Sequence, residues 1–317
     1  MCGIVGYLGR GVAQESLIDG LRRLEYRGYD SAGVAFHDGD IFTLARETGR
    51  VENLAKALQG KGSQSSLGIA HTRWATHGAV TVSNTHPHLS YDKKFALVHN
   101  GVIENFSSLK KFLIQKGIEF SSETDSEVLC NLIAYHYSSL PSSSESFIQA
   151  VSTALSECRG AYGIAVLSLD NPRMMIGARR GSPLVVGIGE EANFIASDAS
   201  AFVGRAKEAV FLKDGELAIL QGSEFRITNQ QGHVSEAVAQ PLDQTLEEVE
   251  LGDFGSYMEK EIFEQPNALK NTLRGRFGDD GTTAKLGGLE GHEDELRNVD
   301  RIVFVACGTA RHACMVA

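Results

Sequence analysis

The stretch Cys2-Gly3-Ile4-Val5-Gly6 opens the chain directly after Met1. Removal of Met1 would leave the Cys2 thiol on the same residue as a free α-amine. A cysteine thiol has a pKa of about 8.5 and an α-amine one of about 7.7–8, so near neutral pH the amine can accept the thiol proton, directly or through one water. The stretch therefore predicts a nucleophile that carries its own base, at the start of a first strand from Cys2 to Leu8.

Four further motifs bear on Cys2, which in isolation would be interpreted as a small apolar residue of that strand. In chain order they are Tyr26-Arg27-Gly28-Tyr29-Asp30-Ser31-Ala32-Gly33, His71-Thr72-Arg73-Trp74-Ala75-Thr76-His77-Gly78, His99-Asn100-Gly101 and Glu123-Thr124-Asp125. Their order and content resemble the class II, or N-terminal-nucleophile, glutamine amidotransferases. Within that class, the first two motifs look like the glutamine:fructose-6-phosphate aminotransferase (glucosamine-6-phosphate synthase) family. A later segment, residues 257–267, is similar to the entry to the synthase half of that family.

The pattern of apolar residues predicts a mixture of helices and strands. Helical spacing occurs at about 13–25, 104–116, 125–138 and 145–157, and ten short β-branched runs between residues 33 and 228 predict strands. These signals alone give an α+β fold. The resemblance implies the four-layer αββα fold of N-terminal-nucleophile hydrolases, with two antiparallel sheets between helix layers.

Three regions are predicted along the chain. Residues 2–240 form the glutamine amidotransferase domain, and residues 241–299 form a linker with a helix at 257–265 that Pro266 ends. Residues 300–317 resemble the truncated start of an α/β sugar-isomerase domain. There the apolar run 302–305 predicts a buried parallel strand that turns into a helix.

Hydrolysis of a glutamine side chain needs donors where the oxyanion develops. Asn100 offers a side-chain amide and Gly101 a backbone N–H without a neighbouring Cβ, after a predicted strand from Phe95 to Val98. By resemblance, both residues form the oxyanion hole beside the catalytic Cys2. The alternative is an Asn-Gly hairpin turn, which the dipeptide by itself favours.

Two charged residues are candidates for holding the two ends of glutamine. Arg73 carries a planar fork that suits the substrate carboxylate, and Asp125 could take the α-ammonium group. In the family, the matching residues hold glutamine. Taken singly, Arg73 would be a surface ion-pair partner and Asp125 a first-turn carboxylate of a helix capped by Ser121, Ser122 or Thr124.

The resemblance assigns further residues to the glutamine site. Thr76 and His77 lie in the glutamine-binding loop, Trp74 closes over the site and gates ammonia, and Arg27 fixes the geometry of Cys2. The alternatives are a core or interface aromatic for Trp74 and a solvated charge for Arg27.

Near the end of the chain, Cys307, Gly308 and Thr309 follow the apolar run and precede a predicted helix, a layout that offers backbone N–H groups to a phosphate. They resemble part of the sugar-phosphate site of the family. Ala310 stands where the family pattern has a Ser, so one hydroxyl contact is expected to be missing.

Composition restricts the remaining choices. A net charge of −10 argues against nucleic acid as a partner, and no stretch has the length of a membrane span. Five scattered Cys predict a reducing, cytoplasmic location, with Cys130 and Cys158 in the core. A cleavable signal is not expected because its removal would discard Cys2. His86-Pro87-His88 is interpreted as a loop rather than a metal pair, and no metal or cofactor is expected.

The substrate predicted for this chain is L-glutamine, with fructose 6-phosphate as a substrate of the full-length enzyme only. The full-length enzyme is expected to be a homodimer and this chain a monomer. Two alternatives remain open: an amidotransferase of the same fold with another ammonia acceptor, and a regulatory glutamine-binding module without activity. The set Cys2, Arg73, Asn100, Gly101 and Asp125 argues against the second.

Overall fold

A computed structural model of the chain describes residues 2–60, 63–75, 78–235, 238–242, 252, 254–276, 289, 291–306 and 308–316. The chain divides into two units, residues 1–252 and 253–317. Every strand of the described residues lies in the first unit.

The strands of the first unit form two antiparallel sheets. They are β1 Gly3–Gly9, β2 Ser31–Asp38, β3 Ile41–Thr48, β4 Leu67–Arg73, β5 His88–Leu89, β6 Phe95–Ile103, β7 Gly160–Ser168, β8 Met174–Arg180, β9 Val185–Ile188, β10 Ala192–Ala196, β11 Glu208–Phe211, β12 Glu216–Gln221, β13 Glu224–Asn229 and β14 Gln240–Pro241. The eight-stranded sheet has the order β14-β11-β9-β10-β1-β4-β2-β3, and the six-stranded sheet has the order β13-β12-β8-β7-β6-β5.

Helices cover the outer face of each sheet. In the first unit they are α1 Ala13–Leu24, α2 Val51–Ala57, α3 Phe106–Gln115, α4 Asp125–Tyr137 and α5 Ser144–Glu157. One apolar cluster joins α1 and α2 to the eight-stranded sheet, and a second joins α3, α4 and α5 to the six-stranded sheet. A third fills the space between the sheets. The four-layer αββα prediction is therefore confirmed.

Strand β1 lies in the middle of the eight-stranded sheet, between β10 and β4. Its side chains alternate as a strand buried on both faces requires. Ile4 and Leu8 face the core between the sheets, whereas Val5 and Tyr7 face the helix layer. This burial holds the strand rigidly and therefore fixes the position of Cys2 at its beginning.

The four predicted helices of the first unit are present within two residues of their expected bounds. The short helix α2 was not predicted, although Val51, Leu54 and Leu58 are buried at helical spacing. The predicted strand from Phe95 to Val98 is longer in the structure, since β6 continues to Ile103.

Within the second unit, the predicted end of the helix at Pro266 is wrong. Helix α6, Tyr257–Leu273, continues through Pro266. An internal proline removes one backbone hydrogen bond and bends a helix, and here Ala268, Leu269 and Lys270 favour its continuation. The shorter helices α7 Glu293–Arg297 and α8 Gly308–Val316 follow.

The predicted strand at 302–305 is also wrong for this chain. Residues 301–306 have no regular secondary structure, and the side chains of Ile302 and Val305 are 71% and 91% exposed. A buried parallel strand needs neighbouring strands, and the described part of residues 253–317 contains none. The helix expected to follow is present as α8. Most of the predicted linker, including residues 243–250, lies outside the described residues.

None of the described helices has the length and apolar character needed to cross a membrane.

Candidate active site around Cys2

Cys2 lies at the beginning of β1, with its Sγ against the backbone of Trp74. The Trp74 N–H donates to Sγ at 3.2 Å, and Sγ lies 3.6 Å from the Trp74 carbonyl oxygen. Burial raises the pKa of the Cys2 thiol, while the Trp74 N–H and the Arg73 charge act in the opposite direction. The thiol is therefore protonated near neutral pH, so it needs a base to become a nucleophile.

The backbone next to Cys2 is fixed by two buried hydroxyl groups. The Gly3 N–H donates to Thr72 Oγ1 at 3.1 Å, and the Ile4 N–H donates to Ser197 Oγ at 3.0 Å. Thr72 belongs to β4 and Ser197 follows β10, so the neighbouring strands on both sides of β1 hold its first residues.

The structure brings Asn100 directly to Cys2. Asn100 Nδ2 donates to the Cys2 carbonyl oxygen at 2.8 Å, and Asn100 Oδ1 lies 2.9 Å from His71 Nε2. Both Asn100 and Gly101 lie inside β6, so the hairpin-turn alternative is wrong. This dipeptide is part of a continuous strand because β7 pairs with it on one side.

Gly101 has a backbone conformation that excludes a side chain. Its φ is +129°, and a Cβ at this position would lie 2.1 Å from the Ala161 carbonyl oxygen on β7. The N–H of Ile103, two residues later, donates to Asp125 Oδ2 at 2.8 Å rather than to β7. Since N–H groups two residues apart point to the same edge of a strand, the Gly101 N–H also faces away from β7.

Arg73 is buried at the end of β4, which makes the surface ion-pair alternative wrong. Its guanidinium donates to the Gly78 and Ala79 carbonyl oxygens at 3.4 and 3.2 Å. Burial lowers the pKa of Arg73, whereas the nearby Cys2, Asp30 and Asp125 raise it. The residue is thus a buried cation held by the backbone of the segment that follows it. Thr76 and His77 lie outside the described residues.

Asp125 is the first residue of α4 and is also buried. Thr124 caps this helix by accepting from the Glu127 N–H at 3.2 Å, as predicted among three candidates. Asp125 is therefore a first-turn carboxylate, and its Oδ2 already accepts from the Ile103 N–H. Asp125 lies near Arg73 and contacts the edge of β6 that faces away from β7. The predicted contact of Asp125 with an ammonium group stays a prediction.

The side chains of Trp74 and Tyr29 are exposed, and the Trp74 backbone contacts the thiol. Trp74 is 44% exposed and contacts Tyr29 edge to face, with ring centroids 5.4 Å apart. Trp74 is therefore not a core residue. A gating role for it remains a prediction.

Arg27 is not the solvated charge of the alternative interpretation. Its side chain is only 10% exposed and pairs with Asp198. Asp198 directly follows Ser197, the residue that holds the Ile4 N–H, so Arg27 is connected to the backbone of β1 through these two residues. A role in fixing Cys2 stays a prediction that this connection supports.

Behind Asn100 lies a cluster of buried histidines, His71, His86, His88 and His99. The ring of His86 lies 4.2 Å from that of His71 and 4.7 Å from that of His88. Burial lowers the pKa of both His71 and His88 to about 3. His88 belongs to β5 rather than to a loop. No group of side chains among the described residues has the arrangement of a metal site.

Several residues that shape the site could not be recognised from the sequence. His71 and Thr72 stood within a motif singled out above, but strand alternation gave no reason to connect them with Asn100 or Gly3. Ser197 and Asp198 are far from every motif, and only the pairing of β10 with β1 brings them to the site.

Comparisons with known proteins identify the domain and its fold. Residues 71–204 match the family described as "Glutamine amidotransferase domain". A solved glutamine phosphoribosylpyrophosphate amidotransferase from B. subtilis is 26% identical with a TM-score of 0.62, covering 74% of this chain and 50% of that one. A structure described as the allosteric regulatory enzyme of purine biosynthesis is 27% identical with a TM-score of 0.62, covering 72% of this chain and 49% of that one. The chain carries a glutamine amidotransferase domain with the N-terminal-nucleophile fold.

Curated relatives indicate which kind of glutamine amidotransferase this chain resembles. The chain is 43% identical over its whole length to a glutamine–fructose-6-phosphate aminotransferase (isomerizing) of Chlorobaculum tepidum, of which it covers 52%. It is 42% identical over its whole length to the enzyme of the same name from Bacteroides thetaiotaomicron, covering 51% of it. A third, from Thermus thermophilus, is 44% identical over 99% of this chain and 50% of the relative. The chain is a relative of the glutamine–fructose-6-phosphate aminotransferases and spans about half their length.

Proposed function

We propose that this chain hydrolyses L-glutamine to glutamate and ammonia, as the amidotransferase part of a longer enzyme that transfers the ammonia to fructose 6-phosphate. The observation that carries this proposal is the convergence of four side chains, at the start of β1, inside β6, at the end of β4 and at the start of α4: Cys2, Asn100, Arg73 and Asp125. The curated relatives all name fructose 6-phosphate, which favours that acceptor over another. The product of the longer enzyme would be glucosamine 6-phosphate.

Before any reaction, removal of Met1 frees the α-amine of Cys2. The amine takes the thiol proton, and Sγ attacks the carbon of the glutamine side-chain amide. The Asn100 amide and the Gly101 N–H stabilise the oxyanion. The protonated amine returns its proton to the leaving nitrogen, and ammonia departs. Water then attacks the thioester, which releases glutamate and restores the thiol.

Substrate binding is assigned to the charged residues around this centre. The Arg73 guanidinium is a planar fork of N–H donors, a shape that suits the two oxygens of the glutamine carboxylate. Asp125 takes the α-ammonium group. Trp74 closes over the bound substrate, and Thr76 and His77 complete the loop around it.

Glutamine hydrolysis by the chain itself is the direct test of this function. The chain without Met1 is incubated with L-glutamine, and glutamate and ammonia are measured. Release of both in equal amounts supports the proposal. A chain that binds glutamine but releases neither product would instead be the regulatory module.

Replacement of Arg73 by Ala is expected to weaken substrate binding more than chemistry. The fork contacts the carboxylate equally in the ground and transition states, so the KM for glutamine should rise by about 10–100-fold while kcat changes by less than about threefold. Steady-state kinetics check this. Arg226→Ala, at an exposed position of β13, is the control and should keep both constants. A large loss of kcat with an unchanged KM would contradict the assigned role.

Removal of the second unit is expected to leave glutamine hydrolysis intact. Leu242 still belongs to the first unit, because its N–H donates to the Lys207 carbonyl oxygen and its side chain packs on the helix-facing core. A chain ending at Gly252 should therefore keep kcat/KM within about threefold and the same thermal unfolding of the first unit. Limited proteolysis should give a core ending between about residues 242 and 255. Loss of activity on this truncation would show that residues 253–317 support the site.

The remaining assignments concern the longer enzyme. Fructose 6-phosphate should neither bind this chain nor stimulate it, since Cys307, Gly308 and Thr309 would form only part of a sugar-phosphate site. Cys307 lies outside the described residues, and Gly308 and Thr309 begin α8. A cytoplasmic location and a homodimer of the longer enzyme complete the proposal, the first supported by four unpaired cysteines among the described residues.

A further inference from the structure

His71 occupies the position behind Asn100, on the side opposite Cys2. Its Nε2 lies 2.9 Å from Asn100 Oδ1, and the Asn100 amide nitrogen is bonded to the Cys2 carbonyl oxygen at 2.8 Å. The Asn100 side chain is thus held between the imidazole of β4 and the backbone of the nucleophile. None of the proposed catalytic or substrate-binding roles belongs to His71.

The chemistry of these contacts fixes the orientation of every group. The Cys2 carbonyl oxygen can only accept a hydrogen bond, so the Asn100 atom that faces it must be the amide nitrogen. Asn100 Oδ1 then faces His71, and because Oδ1 can only accept, His71 must carry its proton on Nε2. The two contacts therefore select one rotation of the amide and one tautomer of the imidazole.

The surroundings keep His71 in that state. The ring is 1% exposed, and its burial keeps it neutral, with a pKa of about 3. The His86 ring packs against it with centroids 4.2 Å apart, which restricts rotation of the imidazole. The position on β4 is also fixed, since Ile4 of β1 and Gly33 of β2 pair with His71 on either side.

We propose that His71 is a positioning residue that holds the Asn100 amide so that one N–H bonds the Cys2 backbone and the other faces the developing oxyanion. This inference rests on the proposed glutamine hydrolysis and adds a residue to its machinery. His71 touches neither the substrate nor the thiol. It acts by donating Nε2–H to Asn100 Oδ1, which prevents rotation of the amide away from Cys2.

The test compares four proteins, each without Met1, by steady-state kinetics with glutamine: the parent chain, His71→Leu, His71→Gln and Asn100→Ala. His71→Leu removes the donor and should lower kcat by about 10–100-fold, with the KM for glutamine within about threefold. His71→Gln places an amide N–H near the position of Nε2 and should restore kcat to within about fivefold of the parent. A merely structural role would not produce this rescue.

A double mutant separates positioning from other effects. If His71 acts only through Asn100, adding His71→Leu to Asn100→Ala should cause no further loss of kcat. Losses that multiply, or a folded His71→Leu protein with the parent kcat, would overturn the proposal. His37→Leu is the matched control: His37 is also buried, on the far end of β2, and bonds the Leu169 carbonyl oxygen. Its kcat should equal that of the parent.

A spectroscopic measurement covers the case in which His71→Leu fails to fold. In the parent chain labelled with ¹⁵N-histidine, the His71 resonances should show a neutral ring protonated at Nε2 across the range of activity. A ring protonated at Nδ1 would refute the proposal without any mutant. A parent chain that does not hydrolyse glutamine would count against the proposed function, whereas the tautomer would still test the contact with Asn100.

Discussion

Replacement of Cys2 by Ala is expected to abolish glutamine hydrolysis and to leave the fold intact. The proposed covalent route runs through the thiol of Cys2, the residue whose backbone Asn100 contacts, so loss of the thiol removes the nucleophile of the reaction. Because Cys2 is held through its backbone and the neighbouring Gly3 and Ile4, the loss of Sγ removes, among the contacts of the described residues, those to the Trp74 backbone. Activity should fall by at least about 10⁴-fold, to the level of a blank without protein.

The same experiment should separate binding from chemistry. Arg73 and Asp125 are unchanged in Cys2→Ala, so glutamine should still raise the thermal unfolding temperature of the variant, as ligands of the native state do. Cys158→Ala is the control, since Cys158 is a buried core cysteine and its variant should keep kcat. Substantial hydrolysis by Cys2→Ala would refute the mechanism.

Retention of Met1 should be as damaging as loss of the thiol. The pKa of Cys2 is raised by burial, and both hydrogen bonds that the described residues make to Sγ come from the Trp74 backbone, which offers no base. With Met1 in place, the Cys2 nitrogen is an amide and cannot take a proton. Intact mass spectrometry determines which preparations lack Met1, and a glutaminase assay should find activity in those preparations alone. An active chain that retains Met1 would require another base.

Most helices and strands of the first unit could be predicted because the sequence patterns that indicate them are local. The helices α1, α3, α4 and α5 carry apolar residues at helical spacing, and most strands carry β-branched runs. The four-layer arrangement came from the motif resemblance, because periodicity does not tell which strands share a sheet. The short elements α2, β5 and β14 were missed because two to seven residues give too weak a pattern.

The errors have physical reasons that lie outside the local sequence. Asn100-Gly101 favours a turn locally, but pairing with β7 keeps it extended and the fold uses the conformational freedom of Gly101 for a close approach to Ala161. The run 302–305 is apolar enough for a buried strand, yet it remains exposed because the described residues of its unit provide no strand to pair with it. In both cases tertiary partners decide the outcome.

For the candidate site, too, the residue types could be predicted from the sequence but their contacts could not. Motif content predicted Cys2, Arg73, Asn100 and Asp125 as site residues, and in the structure these four lie close together. The network that holds them could not be predicted, because the contacts of Asn100 with His71 and of Ile4 with Ser197 join residues 29 and 193 positions apart. Such contacts follow only from the order of strands in the two sheets.

Replacement of Asn100 by Ala is expected to lower kcat by about 10²–10³-fold and to change the KM for glutamine much less. In the proposed mechanism the amide N–H stabilises charge that appears on the carbonyl oxygen only as Sγ attacks, so its loss acts on the transition state. The Gly101 N–H remains as the second donor, which is why activity should be reduced rather than abolished. Single-turnover measurement of thioester formation should show the loss in that step.

The same substitution has a structural consequence that must be separated from its effect on chemistry. Without the amide, the buried His71 Nε2–H and the partly buried Cys2 carbonyl oxygen both lose this partner, which should cost about 1–3 kcal/mol of stability. Asn193→Ala is the matched control, because Asn193 is as buried, pairs with Leu8 at the far end of β1 and donates to the Ser223 carbonyl oxygen. That variant should lose a similar amount of stability and keep kcat. Equal losses of kcat in both variants would mean that Asn100 acts through the fold rather than at the oxyanion.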